Sequence, residues 1–313
     1  MNSNDRLEGD LRETVKDAGA TGVTPWMAIV AALATTRPTS MRETFQWLAD
    51  NAELIEREYE RGKREPLTIG AIPEELRYEP ELGYLDRSIN DHWLRGRRIF
   101  GELLGNKSFM QAVVLAISGV ELAKSDSEML EQFAMACMTL DRGAWPMAAT
   151  RRVAGHGGGV AAAVVAGAAM MGSPMLAGAA AANCARFLRR AARAESDGVA
   201  VERTVRELLA NKERVMGFGR PVVGPDERSP VLLDILRRYR RAEGTHVTLL
   251  VRAEQAFFEQ RGLKTTAAAW AAAILSDLEL SPDAVHAVCN HWVTSCVFAQ
   301  AAFGAEHAAE GAR

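Results

Sequence analysis

Residues 153–185 contain no Asp, Glu, Lys or Arg. An uncharged run of 33 residues constrains the fold more than any other part of the chain, because it must lie against something apolar. A bilayer span needs only about 20 apolar residues, so length alone permits a membrane. Composition argues against one. Four glycines surround His156, Pro174 interrupts the run, and Ala dominates over Leu, Ile and Phe. The expected outcome is a buried, close-packed helix with no membrane contact. The run also exceeds what one helix layer needs, and closed two-fold pairs are the common way to cover such a surplus. A homodimer is therefore expected.

The 313 residues leave room for one large domain or two smaller ones. Hydrophobic residues at 48% and charged residues at 25% make an ordinary balance. A net charge of −3 gives no reason to expect a nucleic-acid partner. The clusters Arg189-Arg190, Arg237-Arg238 and Arg240-Arg241 read as solvated helix faces. The four cysteines, Cys137, Cys184, Cys289 and Cys296, have no metal-ligand spacing, so no metal is expected. A disulfide framework is not expected in so long a chain, which fits a reducing cytoplasm. Cys289 and Cys296 are seven apart, on one helix face, which suits core packing. The polar N-terminus lacks an apolar stretch, so no secretory signal is expected.

Local pattern points to helices nearly throughout. Thr24-Pro25 caps a helix, and residues 41–61 carry an amphipathic stripe of Phe45, Leu48, Leu54 and Ile55. Residues 62–84, rich in Pro and Gly, read as a surface arm. Helices are expected over 108–118, 127–140 (capped by Asp126), 183–214, 231–241, 246–261 and 267–278. A last helix, capped by Ser281-Pro282-Asp283, should run to about Phe303 before a loose polar tail. Few strand alternations are visible.

Between two of these helices lies Met-Gly-Phe-Gly-Arg-Pro at 216–221, followed by Gly224-Pro225-Asp226-Glu227-Arg228. Glycine and proline fix unusual backbone angles, so this is a shaped turn. A turn feeding a helix start can hold an anion. The stretch resembles the citrate synthase signature Gly-Phe-Gly-His followed by Asp-Pro-Arg, with Arg220 at the His and Glu227 at the Pro. Other parts resemble the same family: Arg95-Gly96 matches its Tyr-Arg-Gly-Tyr segment, with a helix after it. Asp141-Arg142 matches its Asp-His turn, and 272–283 matches its Ala-Ala-Val-Leu-x-Asp-Leu-Gly-x-Pro-Pro-Glu run. The likeness covers about 90–305 and, by chain length, leans toward citryl-CoA lyase-type members.

That resemblance implies an all-α, two-domain fold, with a small domain at 178–265 set between large-domain segments 1–177 and 266–313. It implies a CoA-linked, anionic substrate and C–C bond chemistry. The family's acid–base work falls to a His that stabilises an enolate, a second His that polarises a keto acid, and an Asp that removes a proton. In this chain the matching positions are Ala177, Arg220 and Ala268, and the last-helix Arg falls near Val293. Of the family's site residues, the resemblance keeps only Arg228. An Arg stays protonated and cannot serve as a base, but it grips carboxylates and phosphates. Arg142, Arg220 and Arg228 are thus candidate substrate-binding residues, the alternative being outward-facing ion pairs. Gly217 and Gly219 are candidate cofactor-binding positions, where CoA would be carried as part of the substrate. His156, among glycines at a helix start, is the candidate proton-transfer residue; the alternative is a capping His. His291 and Asn290 read as core packing. Two functions remain open: an enzyme with altered chemistry, or a non-catalytic homologue that binds a ligand or partner.

Overall fold

The computed structural model describes residues 41–64, 81–138, 144–220 and 224–311. The helices expected within 1–40, most of the arm at 62–84, and Arg142 lie outside the described residues. The described chain is helical as expected, with the elements α1 (Met41–Arg64), α2 (Phe109–Ser118), α3 (Lys124–Cys137), α4 (Trp145–Val153), α5 (Gly159–Met170), α6 (Ala177–Ser196), α7 (Val201–Ala210), α8 (Arg228–Arg238), α9 (Thr245–Arg261), α10 (Ala267–Asp277) and α11 (Pro282–Gly311). The contacts divide the chain into two compact units. One comprises Tyr78–Thr139 and Met171–Ser295; the other comprises Met1–Arg77, Leu140–Met170 and Cys296–Arg313.

The unit built from Tyr78–Thr139 and Met171–Ser295 is organised around α10. Ala269, Trp270, Ala271, Ala272, Ala273, Ile274 and Leu275 are all buried, so this helix is enclosed on every side. A helix apolar all round must be central. It packs most extensively on α6, whose Ala181, Cys184, Ala185, Leu188 and Ala191 recur at three- and four-residue spacing and are buried. Alanine on both helices brings the two backbones close. Truncating Leu275 or Leu188 to Ala there would cost about 2–5 kcal/mol.

Three expectations change here. Residues 83–98 form a small antiparallel sheet, β1 (Gly83–Asp86), β2 (Asp91–Leu94) and β3 (Arg97–Arg98). Arg95 and Gly96 both have positive φ, 48° and 76°, the backbone of a tight hairpin turn between β2 and β3. Tyr84 and Trp93 face each other across the strands and stack at 5.8 Å. The helical turn that follows, Ile99–Leu103, is capped by buried Asp91, whose carboxylate accepts the N–H groups of Phe100 and Gly101. Second, Asp126 does not cap α3, which begins at Lys124 with Ala123 as its cap. Its buried carboxylate instead takes two bonds from Arg241, at 2.9 and 2.7 Å. Third, α11 runs through the expected loose tail to Gly311, carried by its alanines.

In the other unit, the uncharged run is not one helix. α4 ends in the wide turn Ala154–Gly158, where His156 (φ −101°, ψ 23°) and Gly157 (φ 83°) leave helical angles. The chain then folds back. A Cβ on Gly167 of α5 would meet Thr150 of α4 at 2.1 Å and Val297 of α11 at 2.7 Å. In one straight helix, Thr150 and Gly167 would lie about 25 Å apart at ~1.5 Å per residue. By length and composition Trp145–Met170 could cross a membrane, but it forms two arms of 9 and 12 residues. Each is shorter than the roughly 20 residues a span needs. The C-terminal part of α11 lies against α4: a Cβ on Gly304 would meet the Arg151 carbonyl at 2.6 Å. Ala154, Ala163 and Ala301 form the buried seam of this layer.

Candidate functional site

The turn at 216–220 is fixed by four anchors. Gly217 and Gly219 have φ of 97° and 75°, which residues with a Cβ adopt only under strain. A Cβ on Gly217 would also sit 3.0 Å from the Ala269 Cβ, and one on Gly219 would sit 2.9 Å from Leu263. The Gly219 N–H donates to the Lys264 carbonyl (2.7 Å), and the Thr266 N–H donates to the Gly217 carbonyl (2.8 Å). Phe218 and Thr265 thereby pair as a short antiparallel bridge. Phe218 is buried between Phe187 and Phe257, with ring centroids 5.9 and 4.2 Å away. Finally, the Met216 N–H donates to the Asn183 side chain. Both glycines are thus required by packing, and the turn is stitched to the entry of α10.

Asp226 ties the same entry to α8. Its side chain is fully buried and accepts four bonds: Arg228 Nε at 2.8 Å, Arg228 Nη2 at 2.8 Å, the Arg228 N–H at 3.1 Å and the Ala267 N–H at 2.9 Å. Burial pushes this carboxyl up, but Arg228 and the Ala267 N–H outweigh that and hold it below the usual carboxylate range. For Arg228, burial acts downward, and the Asp226 bonds reverse it and raise the guanidinium. Ser229 adds a bond from its hydroxyl to the Thr265 carbonyl. Cys137 lies near this pair; burial pushes its thiol up to about 11, so it stays protonated and is no nucleophile.

Arg220 closes the arrangement. It donates to the Pro225 carbonyl at 2.7 Å and the Gly224 carbonyl at 3.4 Å. Its Nη1 lies 2.7 Å from Glu227 Oε2 and 3.9 Å from Asp226. Arg220, Gly219 and Asp226 line a cavity of about 330 Å³ together with Phe258, Lys264, Thr265 and Thr266. Lys264 stands over the Phe258 ring at 4.7 Å and 4.0 Å from Glu254. Glu254 is itself held by the N–H and hydroxyl of Thr265.

The structure therefore brings Arg220, Arg228, Gly217 and Gly219 into one constellation. His156 belongs to the other unit, in the wide turn after α4. Its ring Nδ1 lies 2.8 Å from the Arg152 carbonyl. A carbonyl only accepts, so Nδ1 carries a proton, and the ring stands in an exposed residue. Ala177 opens α6 with φ 35°, a strained angle for alanine. Ala268 stands in the first turn of α10. The side chain of Asn290 accepts the Gly178 N–H, so it caps α6. His291 is exposed and faces Phe109 at 6.1 Å. Among the described residues, no cluster of three or more His, Cys, Asp or Glu could hold a metal ion.

The sequence reading missed the acids that occupy the arginines. Asp226 lies inside the recognised Asp-x-Arg element, and Glu227 is the departure from it, so both signals were in view. Lys264 and Thr266 precede α10, and only the bridge to 217–219 reveals that they share its cavity.

Comparison with known proteins bears on this geometry. The family described as citrate synthase, C-terminal domain, matches residues 81–293. No curated protein matches. Among solved structures, citryl-CoA lyase from Hydrogenobacter thermophilus superposes with a TM-score of 0.65 at 22% identity, covering 73% of this chain and 87% of that one. ATP citrate lyase from Methanosaeta concilii, in complex with (3S)-citryl-CoA, gives 0.61 at 14%; the match covers 87% of this chain but only 49% of that one. Citrate synthase from Thermoplasma acidophilum, in a ternary complex with carboxymethyl coenzyme A and oxaloacetate, gives 0.52 at 13%, covering 95% of this chain and 76% of that one. At these identities the likeness is one of fold. With more than half of its length matched by the family, this chain belongs to the citrate synthase family.

Proposed function

We propose that the protein binds an anionic carboxylate carried on coenzyme A and makes, breaks or rearranges a carbon–carbon bond in it. The observation that carries this reading is the cavity at the 216–220 turn, where Arg220 and Lys264 face one space beside the start of α10. Two cations there suit a ligand with more than one negative group. Arg228 and, beyond the described residues, Arg142 are assigned to the same anion. Gly219, which lines the cavity, is assigned to the carrier's approach, and Gly217 to shaping the turn that holds it there. His156, an exposed residue, is the group assigned to move a proton. No residue replaces the family's His and Asp at Ala177 and Ala268, so ordinary citrate synthesis is not the reaction.

The partner proposed is a second copy of the chain. Along α5, Val160 (41% exposed), Ala161, Ala168 and Ala169 form an uncovered, uncharged face. Light scattering at micromolar concentration should give twice the chain mass, and a monomer would refute this part. We also propose a cytoplasmic location.

A second reading, in which a ligand is bound without reaction, is favoured by one observation. The cavity lining holds no His, and its one carboxylate, Asp226, is saturated. The deciding experiment is mass spectrometry of citryl-CoA incubated with the protein, beside acetyl-CoA with oxaloacetate. The enzymatic reading expects a changed acyl-CoA product that is lost in His156→Gln, and no citrate at a normal enzymatic rate. Tight binding with no product in any mixture would establish the second reading.

A further inference from the structure

The acid next to Arg220 is not the one the family carries. Where the family signature has Pro, this chain has Glu227, and its carboxylate sits 2.7 Å from Arg220 Nη1. The two side chains differ in exposure: Arg220 is 21% exposed and Glu227 is 71% exposed. The arginine is therefore a fixed part of the cavity wall, held through two other bonds to the Gly224 and Pro225 carbonyls. The glutamate reaches in from solvent. Its own backbone N–H, and then Arg220, hold its carboxyl below the usual carboxylate range, so it is charged at neutral pH.

We infer that Glu227 is a specificity-determining residue: an internal carboxylate that occupies the Arg220 guanidinium and that a ligand must displace. This inference rests on the reading above, in which Arg220 grips the anion. An incoming anion that touches Arg220 alone exchanges one carboxylate for another, and its gain is reduced by the roughly threefold to fivefold worth of the exposed pair it breaks. An anion that also reaches Lys264, which lines the same cavity, gains the second contact. Glu227 thereby sets a threshold that favours ligands with two or more negative groups. The displacement is open to a ligand because Glu227 is 71% exposed, and an ion pair with so exposed a partner contributes little. Asp226 cannot play this role. It is buried and already bound by Arg228 and Ala267.

The test is calorimetric titration with citrate of four proteins: the wild type, Glu227→Gln, Arg220→Ala and the double variant. Glu227→Gln keeps the size of the side chain and removes its charge. The inference expects citrate to bind about threefold to fivefold more tightly to Glu227→Gln, the range set by an exposed pair. It expects no gain from Glu227→Gln when Arg220 is already Ala. Glu227→Ala should behave as Glu227→Gln, and a melting curve of each variant verifies folding. If Arg220→Ala weakens citrate but Glu227→Gln changes nothing, Glu227 is a bystander and the inference is overturned. An equal gain with and without Arg220 would mean general charge repulsion and would also overturn it. If Arg220→Ala leaves citrate affinity unchanged, the anion-site reading itself fails.

Discussion

The 216–229 turn and the His156 turn are both glycine-rich breaks between helices, and they are built in opposite ways. In the first, every named polar group has a partner within the chain. Asp226 binds Arg228 and Ala267, Gly219 binds Lys264, Thr266 binds Gly217, and added Cβ atoms would strike Ala269 or Leu263. In the second, a Cβ on Gly157 or Gly159 would meet nothing within 4 Å, only one on Gly158 would strike Val153 (2.8 Å), and the His156 ring has one bond, to Arg152. The first turn is a scaffold that presents cations and spends its acids in holding them. The second leaves its His156 ring exposed, with one bond. A tied wall and an open turn are what the proposed binding and proton-transfer roles respectively require.

The largest effect that would break this comparison is at Asp226. Asp226→Ala leaves Arg228 without its counter-charge and orphans the Ala267 N–H. Removing one partner of a buried pair costs about 3–5 kcal/mol, reduced to roughly 2–4 here because Arg228 is partly exposed. Urea unfolding should show it, and a loss below about 1 kcal/mol would contradict the scaffold role. The same carboxyl predicts the acid limb of stability. Its folded-state pKa lies below the ordinary value of 3.8, so its bonds stabilise fully above that value and are lost as pH falls through the lower one. Asp226→Asn should flatten the fall in stability below about pH 4.

Next in size is a glycine pair. Gly217→Ala meets both a positive φ and Ala269, and should cost about 2–3 kcal/mol. Gly157→Ala meets the positive φ alone and should cost about 1 kcal/mol. Melting temperatures of the two variants sharpen the contrast; equal losses would remove it. The smallest stability effect is expected at His156. His156→Gln should change stability by less than about 0.5 kcal/mol, as an exposed site does. Turnover, where the enzymatic reading holds, should fall by roughly 10²–10⁴. A large stability loss would make His156 a capping residue.

Much of the fold was legible because its signals are local. The Ser281 boundary and the alanine pattern of α10 each specify a helix without reference to distant residues, whereas the uncharged run, expected as one buried helix, is broken into parts and partly exposed. The sheet at 83–98 was missed because Arg95-Gly96 was read as part of a motif rather than as a tight turn. The wide turn at Ala154–Gly158 hid the fold-back of α4 on α5, since periodicity cannot report direction. Of the site, the positions of Gly217, Gly219, Arg220 and Arg228 followed from the motif. Their partners did not: whether Arg220 faces a ligand or Glu227 depends on side-chain geometry that spacing does not encode. Lys264 joins the cavity only through the bridge between Phe218 and Thr265, a contact 47 residues apart in sequence.

The central claim is that the cavity at the 216–220 turn grips an anionic, CoA-linked carboxylate through Arg220. Its most direct measurement is calorimetric titration of citryl-CoA into the wild-type and Arg220→Ala proteins, with the melting temperature of each recorded alongside. A charge-assisted bond contributes roughly 1.5–3 kcal/mol. The account therefore predicts about tenfold to a hundredfold weaker binding at an unchanged melting temperature. Equal affinity in the two proteins would contradict it.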